Sequence, residues 1–563
     1  MSWSTVVEQR IKSLRAELSE LEASQAQAHH WTHLPFRAQN GTSPITKLPT
    51  ELASEIFLYA VRDTVSFTPN PLYRFKVEIA RYTAVCLSQV CRSWRATALG
   101  TQRLWSFIEI DNGHVHTKRP VDLIRLWAER SGSLPLHINL STAFLVPLLD
   151  EDDTEEHRAG LSEFWAIFHV LCEYSARWGS LEVDPPNTIY PTLLRCLPSA
   201  LPHLRSLTIK CRYTFFRDGA LTAAASEPPS LQVPSLRYFF WNNLFTFPPL
   251  ALLGALTTLK LDRCGKNLGD ICQILALTLR LHTLVCDFSC LISDEDLSAQ
   301  PHITLPSLHS LQLRTDNKIE EREWYWQDNQ ETAAEGTEER VTAFLDHFTF
   351  PALCDLVVFS ATNRTFFPGL TALITRSHCI IRNLDVNLKD DHDLGDFGRF
   401  LSEPSLGSDP RARQLESLAI RGITERTVGE DNWLPWQEYV ASVVTVTGEV
   451  GPSRSFPPTR SLVFETESTQ AVASLARLIC QPRRSIFRLV EELTLRLEDW
   501  HGAYHKYDWE RYERDDWENK ETRNKRVMAL APFYAYASLG EVQLQITGIS
   551  MLVAHALSDL ASR

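Results

Sequence analysis

The chain has 563 residues, 44% of them hydrophobic and 22% charged, with a net charge of −13 at neutral pH. That balance is the one of globular proteins with room for more than one domain, and its sign argues against a nucleic acid or an anionic membrane as the main target. No run approaches the roughly 18 apolar residues that span a bilayer, the charged opening stretch lacks a signal-peptide core, and the 12 scattered cysteines read as buried thiols of a reducing, cytoplasmic or nuclear compartment.

Within residues 1–30, Val7, Ile11, Leu14, Leu18 and Leu21 recur at steps of four and three with charges between them. This heptad seam of little more than two repeats predicts a helix that is marginal alone. It either packs on its own chain or pairs with a second copy as a dimer. Residues 31–43, with Pro35 and the run "NGTSP" at 40–44 closing them, read as a polar linker.

The next helix starts at "LPTELASEIF", where Pro49, Thr50 and Glu51 suit a first turn. Leu52, Ile56 and Tyr59 fall on one side of it, with Phe57 and Ala60 close by, as a wide apolar stripe. Pro69 and Pro71 interrupt the pattern. A second helix is predicted from about Arg74 to Gly100, carrying Val85, Leu87, Val90, Cys91, Trp94 and Ala98 at near-helical intervals and Gly100 as its C-cap. "LWSFIEI" then alternates like a strand.

Residues 45–106 resemble an F-box. The hallmarks are Ile45, Leu48, Pro49, Glu51 and the Glu55-Ile56-Phe57 run, followed by Val90, Cys91, Arg92-x-Trp94-Arg95 and Leu104-Trp105. The resemblance implies three helices bound to a Skp-type adaptor and, through it, to a cullin in an SCF ubiquitin ligase. Its implied adaptor-binding residues are Ile45, Leu48, Pro49, Leu52, Ile56, Phe57, Val90, Cys91 and Trp94, with Trp94 and Trp105 also turned towards the repeats that follow. Residues 61–82 form an insertion relative to the compact pattern, which bears on adaptor binding.

Beyond residue 134 one motif recurs. "LPLHINL", "LPHLRSLTIKC", "VPSLRYFFWNN", "LTTLKLDRC", "LHTLVCDFSC" and "LPSLHSLQL" come first; "FPALCDLVVF", "IRNLDVNL", "LESLAIRG", "TRSLVFET", "VEELTLRLED" and "LGEVQLQI" follow. Each places apolar residues as L-x-x-L-x-L, the signature of a short strand entered from a turn. Recurrence of one unit predicts a solenoid of stacked strands. The units at Leu256 and Leu281 resemble leucine-rich repeats of the cysteine-containing kind, with Cys264 and Cys290 as turn-filling residues and a helix after each strand. Unit spacing varies from 20 residues (Leu236 to Leu256) to 45 (Leu308 to Leu353), so insertions loop out, or the domain is a less regular α/β fold.

The sequence holds no G-x-x-x-x-G-K-S/T, G-x-S-x-G, H-E-x-x-H or C-x-x-C pattern, and no cofactor, metal or catalytic residue is expected. The acidic run "LLDEDDTEEH" reads as a solvated loop. Two insertions are aromatic: 322–340, with Trp324 and Trp326, and 498–526, with Trp500, Tyr504, Tyr507, Trp509, Tyr512 and Trp517. These rings either cap the repeat array or bind a protein substrate. A nucleic-acid platform would need a basic groove, which they lack.

The expected fold class is α/β: an N-terminal helix, a three-helix F-box over 44–110, and an irregular leucine-rich-repeat solenoid over 111–563. The implied role is a non-enzymatic substrate receptor of an SCF-type ubiquitin ligase. The rival expectation is a repeat-based scaffold, self-associating through residues 1–30.

Overall fold

Short parallel strands, laid side by side in chain order apart from one separate pair, organise the larger part of the fold. The computed structural model describes residues 48–65, 83–110, 120–141, 155–185, 190–210, 231–242, 253–262, 268–288, 302–314, 337–361, 366–388, 415–423, 459–466, 492–497, 527–531 and 543–547, with Phe400 and Val472. Two compact units divide the chain between Leu104 and Trp105.

The first unit contains α1 (Thr50–Val65), α2 (Thr83–Val90) and α3 (Arg92–Gly100). The single helix expected to run to Gly100 is thus two helices, and its expected start at 74–82 lies outside the described residues. The break is at Cys91, which has extended backbone (φ −157°, ψ 173°) and whose Sγ accepts the Trp94 N–H at 3.4 Å. A cysteine does here what Ser or Asn commonly does at an N-cap. Gly100 is helical to the end of α3, and Thr101 closes the helix instead. Both its N–H (3.0 Å) and its hydroxyl (2.7 Å) donate to the Thr97 carbonyl.

Among the described residues, the second unit is built on one 14-stranded sheet. Its first strands are β1 (Phe107–Ile110), β2 (Leu136–Ser141), β3 (Trp178–Asp184), β4 (Ser206–Lys210), β5 (Tyr238–Asn242), β6 (Thr258–Asp262) and β7 (Thr283–Asp287). With β8 (Ile303–Thr304) and β10 (Phe348–Thr349) set apart as a separate pair, it continues through β9 (Ser310–Arg314), β11 (Asp355–Ala361), β12 (Asn383–Leu388) and β13 (Leu415–Ile423). It ends with β14 (Thr459–Thr466), β15 (Glu492–Arg496) and β16 (Gln543–Thr547). Every neighbouring pair in it is parallel. The fold class is therefore α/β with a large parallel sheet, and each L-x-x-L-x-L segment forms one of its strands. "FIEI" belongs to this unit as its first strand.

Register explains the motif. The second leucine of each unit faces its counterpart on the next strand: Leu207 pairs with Phe239, Leu259 with Leu284, Leu311 with Leu356, Leu384 with Leu418. These side chains are buried. Each contributes roughly 1.5–3 kcal/mol relative to exposure. The residues between them face the other side of the sheet, since side chains alternate along a strand.

Helices α4 (Pro120–Arg130), α5 (Glu155–Glu173), α6 (Tyr190–Cys196), α7 (Leu268–Ala276), α8 (Thr337–Asp346) and α9 (Phe366–Ser377) lie between strands in the chain. Their buried residues add to the core, among them Phe164, Phe168, Ile274, Phe344 and Leu373. Trp178 of β3 joins sheet to helix: its ring is 6.5 Å from Phe168, and its indole N–H donates to the Leu171 carbonyl at 3.1 Å. A phenylalanine column does the same further on, with Phe288 against Phe344 (5.2 Å) and Phe344 against Phe348 (4.6 Å).

Candidate functional site

The candidate site lies on the outer side of α1. Pro49 precedes the helix and its carbonyl accepts the first helical N–H, from Ala53 at 3.0 Å; Glu51 supplies negative charge to the first turn. Leu52, Ile56 and Tyr59 stand at i, i+4 and i+7, which is one helical face. They are 54%, 49% and 66% exposed. On the opposite side Phe57 and Leu58 are buried, and Ser54 is hydrogen-bonded to Thr101 between their hydroxyls at 2.9 Å.

Helices α2 and α3 both touch α1. Arg95 Nε donates to the Ser88 carbonyl at 2.8 Å and fixes α3 to the last turn of α2. Val90, the last residue of α2, remains 61% exposed. Leu48 is half-buried, and Pro49, Cys86 and Cys91 are exposed.

Of the sequence-predicted contact residues, Pro49, Leu52, Ile56, Val90 and Cys91 are thus open to a partner, and Leu48 partly so. Phe57 is turned inward, where its ring meets Trp94 at 4.9 Å. A wide stripe has an inner and an outer half, and spacing alone does not say which is which. Trp94 is half-buried in this contact within its own unit. Trp105, of the second unit, is fully buried with the Arg130 guanidinium over its ring at 4.4 Å. Tyr59 was missing from the expected contact set. Its place seven residues after Leu52 is the signal that identifies it.

Ile45, Trp324, Trp326, Trp500, Tyr504, Tyr507, Trp509, Tyr512 and Trp517 lie outside the described residues, as do residues 1–30, 66–82, Cys264 and Cys290. Residues 61–65 of the expected insertion continue α1, and 337–340 begin α8.

The side of the sheet opposite the leucines carries charged pairs among aromatic and small residues. Arg421 donates twice to the Asp385 carboxylate, at 2.8 and 2.7 Å, and Lys210 pairs with Glu182. The Lys260 ammonium lies 5.1 Å from the Phe240 ring, and the Arg314 guanidinium 5.2 Å from that of Phe359. Burial, and then the Glu182 charge, push the Tyr238 hydroxyl above its ordinary pKa.

Among the described residues, no group of three or more His, Cys, Asp or Glu side chains is placed to hold a metal ion. None of the described helices is long and apolar enough to cross a membrane. The fold and the open α1 face define an α/β protein with a long parallel sheet and a small helical unit bearing an unpartnered apolar surface. The chain matches no known protein-family model and no curated protein.

Proposed function

We propose that this chain is a non-catalytic substrate-recognition subunit of an SCF-type ubiquitin ligase. In this reading α1–α3 form an F-box bound to a Skp-type adaptor. The parallel sheet is a leucine-rich-repeat-like region that holds a protein substrate, and ubiquitin transfer belongs to other subunits. The observation that carries the reading is the half-exposed apolar face of Leu52, Ile56 and Tyr59, with Val90 beside the α2–α3 break. Exposed aliphatics at helical spacing, rimmed by Glu51 and Glu55, are what a partner helix or groove covers. The recurrence of one strand unit in fixed register supports a stiff platform, and stiffness is what raises the effective concentration of target lysines near a ligase. The role implies the cytosol or nucleus.

The test is co-expression with a Skp-type adaptor and affinity capture, repeated with Leu52→Asp/Ile56→Asp. Capture of wild type but not of the variant, with the variant's thermal melt unchanged, is the expected result. If wild type brings down no adaptor, the ligase reading falls and the scaffold reading replaces it.

A further inference from the structure

We propose that the N-terminal edge of the sheet, from β4 to β12, binds an acidic, leucine-containing segment of a partner protein. The inference rests on the function proposed above only in taking that partner as the substrate.

One rung of the sheet defines this edge. Backbone carbonyls of Arg205, Arg237, Thr257, His282, His309, Cys354 and Arg382 each accept N–H groups from the next strand, at 2.7–3.1 Å. These residues therefore follow one another strand by strand, over about 29 Å at the usual spacing of ~4.8 Å. Arg205, Arg237, His282, His309 and Arg382 are exposed. The rings of His282 and His309 lie 5.4 Å apart, so adjacent rungs direct their side chains to the same place. His203, Arg280 and His378 add further exposed cationic or imidazole groups in the turns that lead into these strands.

The charge is one-sided. Residues 201–205, 234–237, 253–257, 277–282, 305–309, 350–354 and 378–382 contain no Asp or Glu at all, in a chain whose net charge is −13. Two acids stand next to the edge: Asp355 accepts from Asn383, and Glu416 forms an exposed pair with Arg382 at 3.7 Å, which an incoming carboxylate shares or displaces. Arg237 is held in place by the Pro234, Leu236 and Ala255 carbonyls, at 3.4, 3.1 and 3.3 Å, so little ordering is needed before it meets an anion.

Apolar residues stand on the same edge. Leu277 and Leu279, before β7, are 46% and 54% exposed, and Ile380, before β12, is 48% exposed. A duplex or a bilayer of anionic lipid would also meet the long-range repulsion of the negative chain, whereas a short segment is governed by the local charges within a Debye length, about 8 Å in physiological salt. Carboxylates against the arginines and a leucine against Leu277 or Ile380 satisfy both features together.

The experiment is fluorescence anisotropy with the full chain and a fluorescein-labelled peptide alternating Glu and Leu, with a Lys/Leu peptide and phosphatidylserine vesicles as the other arms. Binding of the Glu/Leu peptide alone is expected, weakening with added salt and falling by at least about tenfold in Arg280→Glu/Arg382→Glu. Arg195→Glu, on α6, should bind as wild type does. Should the reversed pair fail to fold, Arg280→Gln/Arg382→Gln gives the same reading with a smaller loss. Absence of peptide binding by wild type, equal binding by the double variant, or Arg280- and Arg382-dependent binding of vesicles in place of peptide each overturns the proposal. Adaptor capture by the same variants separates the two claims: peptide binding without adaptor binding removes the ligase reading alone.

Discussion

The Phe57 ring lies 4.9 Å from the Trp94 ring, inclined at 54°, and joins α1 to α3 beneath the open face. Ile56, the residue before Phe57, points the other way and is 49% exposed. Neighbours in sequence should therefore fail differently. Phe57→Ala removes a buried aromatic from a small unit and is expected to destabilise it by about 3–5 kcal/mol. Ile56→Ala is expected to leave stability within about 0.5 kcal/mol while weakening the proposed adaptor complex. Urea melts of both variants, set beside adaptor capture, check this. Equal destabilisation by the two would contradict the inward–outward division of α1.

Arg177 closes the turn that follows α4. Its guanidinium donates to the Ala128 carbonyl (2.9 Å), to the Leu134 carbonyl (3.1 and 2.9 Å) and to the Ser131 hydroxyl (2.6 Å). The fork thus satisfies acceptors at a helix end and its following turn, and desolvation lowers the Arg177 pKa from its ordinary value. Arg177→Ala is expected to cost about 2–3 kcal/mol, and Arg177→Lys to recover little, because one ammonium cannot reach three acceptors in fixed directions. Thermal denaturation of the pair tests it. Full recovery by lysine would show that charge, not the planar fork, does the holding.

The L-x-x-L-x-L strands were legible because their signal is local: alternation plus a turn, needing no knowledge of partners. Strand β3, "WGSLEVD", carries the same inward rows but enters through Trp178 rather than a leucine, and its register with β2 shifts between Leu136 and His137. It therefore escaped the pattern. Helices α4 and α5 were missed beside the repeated strand motif. The break at Cys91 was hidden because a thiol is an uncommon cap and near-helical spacing continues across it. Within the site, the i, i+4, i+7 series gave Leu52 and Ile56 their place. Which side of α1 faces inward depends on α2 and α3, and no single-helix periodicity contains that.

Gly369 of α9 lies against Thr342 of α8. A Cβ added there would meet Thr342 Cγ2 at 2.7 Å, against a side chain within the packed helix pair. Gly369→Ala is accordingly expected to lower stability by about 1–3 kcal/mol despite the better helix propensity of alanine. Thr342→Ser removes the offending methyl, so Gly369→Ala/Thr342→Ser should be more stable than Gly369→Ala alone. Gly254→Ala, with nothing within 4 Å, supplies the control. Chemical denaturation of the four proteins decides the matter, and a double variant no better than the single one would place the strain elsewhere.

The buried thiols predict how stability depends on alkaline pH. Burial pushes Cys272 and Cys379 up to about 11 from the ordinary 9.0, and burial, then the Asp287 and Cys272 charges, raise Cys286 as well. The unfolded chain begins to lose these protons near 9.0 while the folded chain keeps them until about 11. Over that window the unfolded state binds fewer protons, so stability falls as pH rises; below it the thiols contribute no slope. Urea midpoints should be level from neutral pH up to about 9 and then decline. Cys272→Ala/Cys379→Ala should start from a lower midpoint yet decline less steeply. An unchanged slope in that variant would assign the alkaline loss to other groups. At neutral pH a thiol reagent should modify the exposed Cys86, Cys91 and Cys196 in the folded chain, and reach Cys272, Cys286 and Cys379 only after denaturant is added.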